Sequence, residues 1–240
     1  PWKYLGLKIT ARTLVPQKLE TISEPQTLAD PQSLCGSLNW VRPWLGLTYE
    51  DLDPLNNLLR GETELFSPWE LTREPKTAMK KAQKALTKRQ SHRYQPELPF
   101  KFIVLRKLPH LYGLIFQWVK GQRDPLLIIK WVFLSWQRSK AITRPQELIA
   151  QLIQKARLRL RELADCHFVC IHLCRNMLTK EMFECLFQEN ANLQISLDSY
   201  NGQISVHAPS HKSFKEFHVI PHRKRSCRPL KALTVFTDAS

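Results

Sequence analysis

Apolar positions along the chain change their period twice. Trp2 to Ile9 alternates loosely around Gly6, which suggests a strand entering or leaving a hairpin. From Thr27 the spacing becomes helical: Leu28, Leu34, Leu38 and Val41 fall near one face, and Pro43 is expected to end the segment. Thr27 with Asp30 approximates a capping box; the alternative is Asp30 as the cap, with Pro31 at the first helical position. A second helix is expected from Thr48 to Leu59, carrying Leu52, Leu55, Leu58 and Leu59 and stopped by Gly61. A third, Thr77 to Arg89, is strongly basic, with Lys76, Lys80, Lys81, Lys84, Lys88 and Arg89 and no acid among them. Such a run ordinarily means a solvated face; the competing meaning is a face turned to phosphates.

Composition shifts at Tyr94 to Pro99, which reads as a linker, and β character follows. Phe100 to Leu105, Leu111 to Val119 and Leu126 to Trp136 are rich in aromatic and β-branched residues, separated by turn signals at Pro109, Gly121 and Pro125. An amphipathic helix comes next. Thr143 and Gln146 can form its capping box, Leu148, Ile149, Leu152, Ile153, Ala156 and Leu160 form the apolar stripe, and Lys155, Arg157, Arg159 and Arg161 form the outer face. A strand from Cys166 to Leu173, a helix from Thr179 to Asn190, a basic loop and a last strand from Ala232 to Thr237 complete an α/β order. The fold class expected is therefore α+β with several subdomains: a three-helix unit, then an α/β unit.

Charge bears on partners, not on fold. Lys and Arg number 36 against 21 Asp and Glu, a net +15, which would attract a phosphate backbone or an anionic membrane surface. The most apolar run, Leu126 to Trp136, is interrupted by Lys130 and is about half of the roughly 20 residues a spanning helix needs, so nucleic acid is the partner expected and a membrane is not. The N-terminus has no signal-peptide layout, and the six cysteines include no C-x-x-C pair, so reduced buried thiols are expected. The chain opens without Met and stops two residues after an Asp, so a piece of a longer protein is expected at both ends.

The segment Thr-Leu-Ala-Asp-Pro-Gln-Ser-Leu-Cys-Gly-Ser-Leu-Asn-Trp-Val-Arg-Pro, from Thr27 to Pro43, closely resembles the first thumb helix of retroviral reverse transcriptases, especially the betaretrovirus type of endogenous retroviruses of group K. Pro31 departs from that family's pattern. Further matches follow in order. Tyr4-Leu5-Gly6, continuing to Leu7, resembles the primer grip, and Pro16 to Leu19 the segment leading to the thumb. Leu45 to Gly61 resembles the second thumb helix, and Leu71-Thr72 with Ala78 the third, which Pro75 is expected to shorten. Leu114 to Trp118 and Glu147 to Ala150 look like the connection, and Thr234 to Asp238 like the first RNase H strand.

The resemblance implies a three-helix thumb followed by an α/β RNase H-like connection subdomain. Residues 1–24 would be the end of the palm with the primer grip, 25–93 the thumb, 94–228 the connection and 229–240 the start of RNase H. It implies a part in an RNA-directed DNA polymerase that grips an RNA–DNA or DNA duplex, with the rest of the Pol polyprotein as partner and a possible dimer through the connection. A non-enzymatic module derived from a retroviral relic is the alternative, which the departures at Pro31 and Pro75 would favour. An unrelated nucleic-acid-binding fold is a further one.

Gln32, Gly36 and Trp40 are spaced four apart and so share one helical face. A glycine there admits a close backbone, a glutamine offers a donor and an acceptor, and an indole a flat surface, a set suited to a shallow minor groove. The family uses these three positions as a minor-groove track. Without the resemblance, Trp40 as core aromatic and Gly36 as packing site is the competing reading. Lys80 and Lys84 are the phosphate-facing candidates.

Polymerisation needs clustered carboxylates holding metal ions, which the family places on a Y-x-D-D motif that this sequence lacks. Tyr49-Glu50-Asp51-Leu52-Asp53 is read instead as a polar helix start. Asp238 matches the first metal-binding carboxylate of RNase H, yet one carboxylate cannot hold two metals. Mg²⁺ is therefore expected in the parent enzyme, no cofactor for this chain alone, and no phosphodiester chemistry from it. Cys166, His167, Cys170, His172 and Cys174, with strand alternation placing His167 opposite the others, are read as structural, as are His207 and His211. Trp118, Trp131 and Trp136 are read as connection core or subunit interface.

Overall fold

The computed structural model describes residues 2–4, 7–16, 29–58, 73–107, 110–134, 145–173, 184, 187–188 and 190–215. At the N-terminus, β1 (Trp2–Tyr4), β2 (Leu7–Ile9) and β3 (Thr13–Pro16) form an antiparallel meander. It is completed by β4 (Ser91–His92), which pairs with β3 from beyond the helices. Between them lie α1 (Ala29–Leu45), α2 (Tyr49–Leu58) and α3 (Arg73–Lys88).

Each helix buries one stripe in a shared core: Leu34, Leu38, Val41 and Leu45 from α1, Leu52 and Leu55 from α2, and Ala78, Ala82 and Ala85 from α3. The alanines let α3 lie close. Leu7 of β2 is buried in the same core, so sheet and helices are one body at this end.

Two proline expectations are corrected, and Pro31 stands two residues further into its helix than the first-position alternative placed it. Pro31 and Pro75 each occupy the third residue of a helix, where the N–H would have no intrahelical partner, so neither breaks or shortens its helix. With Ala29 already helical, Asp30 lies inside the first turn and is not the cap. Pro43 does not end α1, which runs on to Leu45. The stop is Gly46, whose φ of +64° is open to glycine without strain and whose N–H returns to Arg42 O at 2.9 Å. Free carbonyls at this end are met from a distance in sequence. Arg89 Nη1 donates to Leu45 O and Gly46 O, and Ser91 Oγ to Trp44 O. Thr48 begins α2 with its N–H on Asp51 Oδ2, and Lys81 of α3 reaches Asp51 Oδ1 at 2.6 Å. Gly61 lies outside the described residues.

The second sheet runs β7-β6-β5-β8-β9. β5 (Phe100–Lys107), β6 (His110–Trp118) and β7 (Leu126–Phe133) are antiparallel; β8 (Cys170–Leu173) and β9 (Gln203–Ser205) add in parallel beyond β5. The crossover from β7 to β8 is α4 (Pro145–Ala164), whose Ile149, Leu152, Ile153, Ala156 and Leu160 bury on the sheet. α5 (Ala191–Ser196) packs on α4. Three antiparallel strands, a helix and then parallel strands against the first give a mixed α/β layer of RNase H-like order.

Segment 94–99 is no free linker. The fully buried side chain of Gln117 accepts from Gln95 N–H and donates to Gln95 O and Leu98 O, and the Tyr94 ring lies tilted against that of Phe100. Arg157 also departs from expectation. It is 7% exposed and donates to Ser196 O and Asp198 O, because α5 covers that flank of α4. The β8 strand starts at Cys170, later than expected, after Asp165 at φ 46°. The helix expected at Thr179 to Asn190 lies largely outside the described residues. Thr143, Trp136, Cys174 and the strand at Ala232 to Thr237 lie outside them altogether.

The helical unit docks on the second sheet along β7, through α1 and β4. Arg42 is sandwiched there between the rings of Tyr49 (3.8 Å) and Phe133 (4.1 Å). Tyr49 Oη donates to Leu134 O, and Tyr112 Oη to Glu50 Oε2 at 2.7 Å. Desolvation and the neighbouring Glu50 carboxylate drive the Tyr112 phenol well above its ordinary value, so it stays a donor.

Candidate nucleic-acid interface

One flank of α1 is buried and the other is not. Gln32, Gly36 and Trp40 are exposed, while Leu34, Cys35, Leu38 and Val41 on the opposite flank are buried. The 3.6-residue period produces this split directly, since steps of four stay near one face and the apolar positions turn away. Trp40 is 48% exposed despite its size. A Cβ built on Gly36 meets nothing within 4 Å, so no neighbour requires glycine there. The competing reading, in which Trp40 is a core aromatic and Gly36 a packing site, is corrected by these exposures. Cys35, in contrast, is a core thiol, pushed up to about 11 by burial and inert as a nucleophile.

Trp44 extends the row by another four residues, an addition that reading the sequence missed although the spacing signals it. Its ring centroid is 5.7 Å from that of Trp40, and Lys130 Nζ of β7 lies 5.0 Å from the Trp44 centroid. A polar edge, a bare backbone, two indoles and a cation thus follow one another from α1 onto β7.

Lys80 and Lys84 are exposed on α3, with Lys76 on the same row, while Lys81 turns to Asp51. They share the helical core with α1 but sit on a separate helix. Tyr4 is 63% exposed on β1 and pairs across the hairpin with Leu7. Leu7 itself is 4% exposed, so its side chain anchors the hairpin in the helical core; Leu5 and Gly6 lie outside the described residues.

Asp238 lies outside the described residues. Among those described, no group of three or more His, Cys, Asp or Glu could hold a metal ion. His172 Nδ1 meets His207 O at 2.8 Å and Cys170 packs beside it, whereas His211 pairs with Asp124 at 2.9 Å. These histidines have separate partners and do not converge. Trp131 is core and Trp118 packs against it. Among the described residues no helix is long and apolar enough to cross a membrane.

Two families of known domains match separate stretches of the chain. Residues 16–80 match the reverse transcriptase thumb domain family, and residues 109–214 match the family described as ERVK-8-like, RNaseH-like domain. Along its full length the chain is similar to Gag-Pro-Pol polyproteins. It is 30% identical over 248 residues to that of sheep pulmonary adenomatosis virus and 31% identical over 250 residues to that of squirrel monkey retrovirus. Over 99% of its length it is 29% identical to that of mouse mammary tumor virus (strain BR6). The chain spans 13–14% of the length of these relatives.

Proposed function

The chain belongs to the retroviral reverse transcriptases of betaretroviral type, and from that premise we propose that it grips and guides a primer–template duplex within a longer Pol polyprotein. The observation that carries the proposal is the exposed row Gln32, Gly36, Trp40 on a helix whose other flank is fixed in a core. A rigid helix with a flat indole and a glycine can lie along a minor groove and read its shape, not its sequence. The exposed lysines of α3 add a sequence-independent attraction to phosphates.

In this reading residues 25–93 are the thumb, with α1, α2 and α3 as its three helices, and 94–228 the connection, which bridges to an RNase H domain beginning near 229. The β1–β2 hairpin, presenting Tyr4, is the primer grip. The parent enzyme is an RNA-directed DNA polymerase with RNase H that uses Mg²⁺. This chain alone is catalytically inactive, since the sequence holds no Y-x-D-D and no acid occurs in β5 or β8. Pro31 and Pro75, which would favour a decayed relic, sit harmlessly in first turns and lend that alternative no support.

The test is direct binding of the full chain to an RNA–DNA hybrid and to DNA duplexes of differing sequence across a salt series. The expected result is weak sequence preference and a log K that falls linearly with log salt, by about 0.9 for each phosphate contacted. A chain indifferent to duplex at low salt would defeat the proposal.

A further inference from the structure

Lys130 is the only charged residue of β7, whose other residues are all apolar. The ladder to β6 pairs Ile115 with Lys130 but Phe116 with Ile128, leaving Ile129 as a bulge beside it. A bulge re-aims side chains, and here the lysine stands among apolar residues that are mostly buried. Its ammonium rests against the Trp44 ring, and no hydrogen bond or ion pair to it occurs among the described residues.

Arg159 of α4 lies beside it. Its Nη1 binds Glu162 Oε2 at 2.6 Å, while its Nε is buried without a hydrogen-bond partner. Burial, then the Arg159 charge, push the Lys130 pKa down to about 8, against a smaller upward pull from Glu162. Two partly desolvated cations thus face one carboxylate that Arg159 already occupies. Such an arrangement is unfavourable until an anion enters.

Space for the anion exists. A cleft of about 510 Å³ between α1 and α4, floored by β7, is lined by Asn39, Arg42, Lys130, Lys155 and Arg159 among others. A second cleft, bounded by Trp2, Trp44 and Arg93, shares Lys130 and Arg159 with the first. The two cations therefore stand where both clefts meet, at the end of the α1 row.

We propose that Lys130 and Arg159 form a phosphodiester-binding site that receives the backbone of a nucleic-acid strand as it passes from Trp40 over Trp44 toward α4. The proposal rests on the duplex-gripping reading and adds a second contact region to it. A guanidinium can hold a phosphate through paired N–H donors and an ammonium as a point charge, while Trp44 offers an adjoining face for a sugar or base.

The test uses the full chain in three forms: wild type, Lys130→Met, and Lys120→Met in the β6–β7 turn as a control of equal charge change. With an RNA–DNA hybrid, the salt slope of wild type and Lys120→Met should agree, whereas that of Lys130→Met should flatten by about one unit, with several-fold weaker binding at low salt. Equal slopes for the two variants overturn the site while leaving duplex binding standing. Absence of any binding by wild type overturns the site together with its premise. A second measurement avoids mutation. The neutral fraction of Lys130 makes it reactive to acylation near neutrality, and hybrid should protect it at least fivefold. Protection by inorganic phosphate as strong as by hybrid, at matched ionic strength, would make this a site for the free anion and overturn the strand assignment.

Discussion

Gly46 lies under the indole of Trp131. A Cβ added to it would fall 2.6 Å from Trp131 Nε1 and 2.9 Å from Cζ2, and its backbone is already at φ +64°. The end of α1 and the middle of β7 thus fix one another, and this contact orients the exposed row relative to the second sheet. Gly46→Ala adds about 1–2 kcal/mol of left-handed strain and about 1–3 kcal/mol of overpacking. We expect a loss of about 2–5 kcal/mol in denaturant unfolding. A loss below about 1 kcal/mol would mean that the helix end is not held against Trp131.

Gly36 should behave in the opposite way. Its helix-interior position costs about 0.5–1 kcal/mol relative to alanine, and an added methyl meets open space. Gly36→Ala should therefore raise the melting temperature slightly while weakening duplex binding at least threefold. Trp40→Ala should weaken binding about tenfold, equivalent to about 1.4 kcal/mol, with little change in stability because the ring is half exposed. Within the parent polymerase it should also reduce processivity. Unaltered binding by both variants would detach this row from nucleic acid.

Asp51 and Lys81 are predicted to be coupled. The carboxylate is 5% exposed, accepts from Thr48 N–H and lies 2.6 Å from Lys81 Nζ, although the lysine itself is 57% exposed. Asp51→Ala should cost about 1–3 kcal/mol through the lost helix start and pair. A double-mutant cycle with Lys81→Met should show a coupling near about 0.5–1 kcal/mol, held down by solvent at the lysine. Strict additivity would reduce the pair to a coincidence of placement.

Acid should weaken the fold before carboxylates titrate. The carbonyl of His207 can only accept, so His172 Nδ1 carries the proton and donates, which leaves Nε2 bare, buried and without a hydrogen-bond partner. Burial lowers the His172 pKa below its ordinary 6.5, and burial likewise lowers that of His92. The unfolded chain then binds protons that the folded one refuses. The stabilisation is complete above about pH 6.5 and fades as pH falls through the lowered folded values. Melting temperature should decline between about pH 7 and pH 5. His172→Asn, whose amide can still donate to the same carbonyl, should flatten that decline, and an unchanged slope would acquit His172.

Much of the architecture was legible because its causes are local. Helical and strand periods placed the stripes of α1, α2 and α4 and the strands β5, β6 and β7 within a few residues. The four-residue spacing of Gln32, Gly36 and Trp40 was enough to put them on one face. Proline positions were misjudged, since whether Pro31 and Pro75 are harmless depends on where the first turn begins, and terminal positions are weakly encoded.

What the sequence by itself determined is therefore which residues share a face and which faces are apolar, because backbone geometry converts spacing into direction without reference to the rest of the chain. Only the tertiary structure decided what each face meets. It set Arg157 under α5, Leu7 in the helical core, Arg89 on the carbonyls of α1, and Lys130 beside both Trp44 and Arg159. These partners are separated by dozens of residues, and burial, hydrogen bonding and charge pairing act through space, so no local pattern records them.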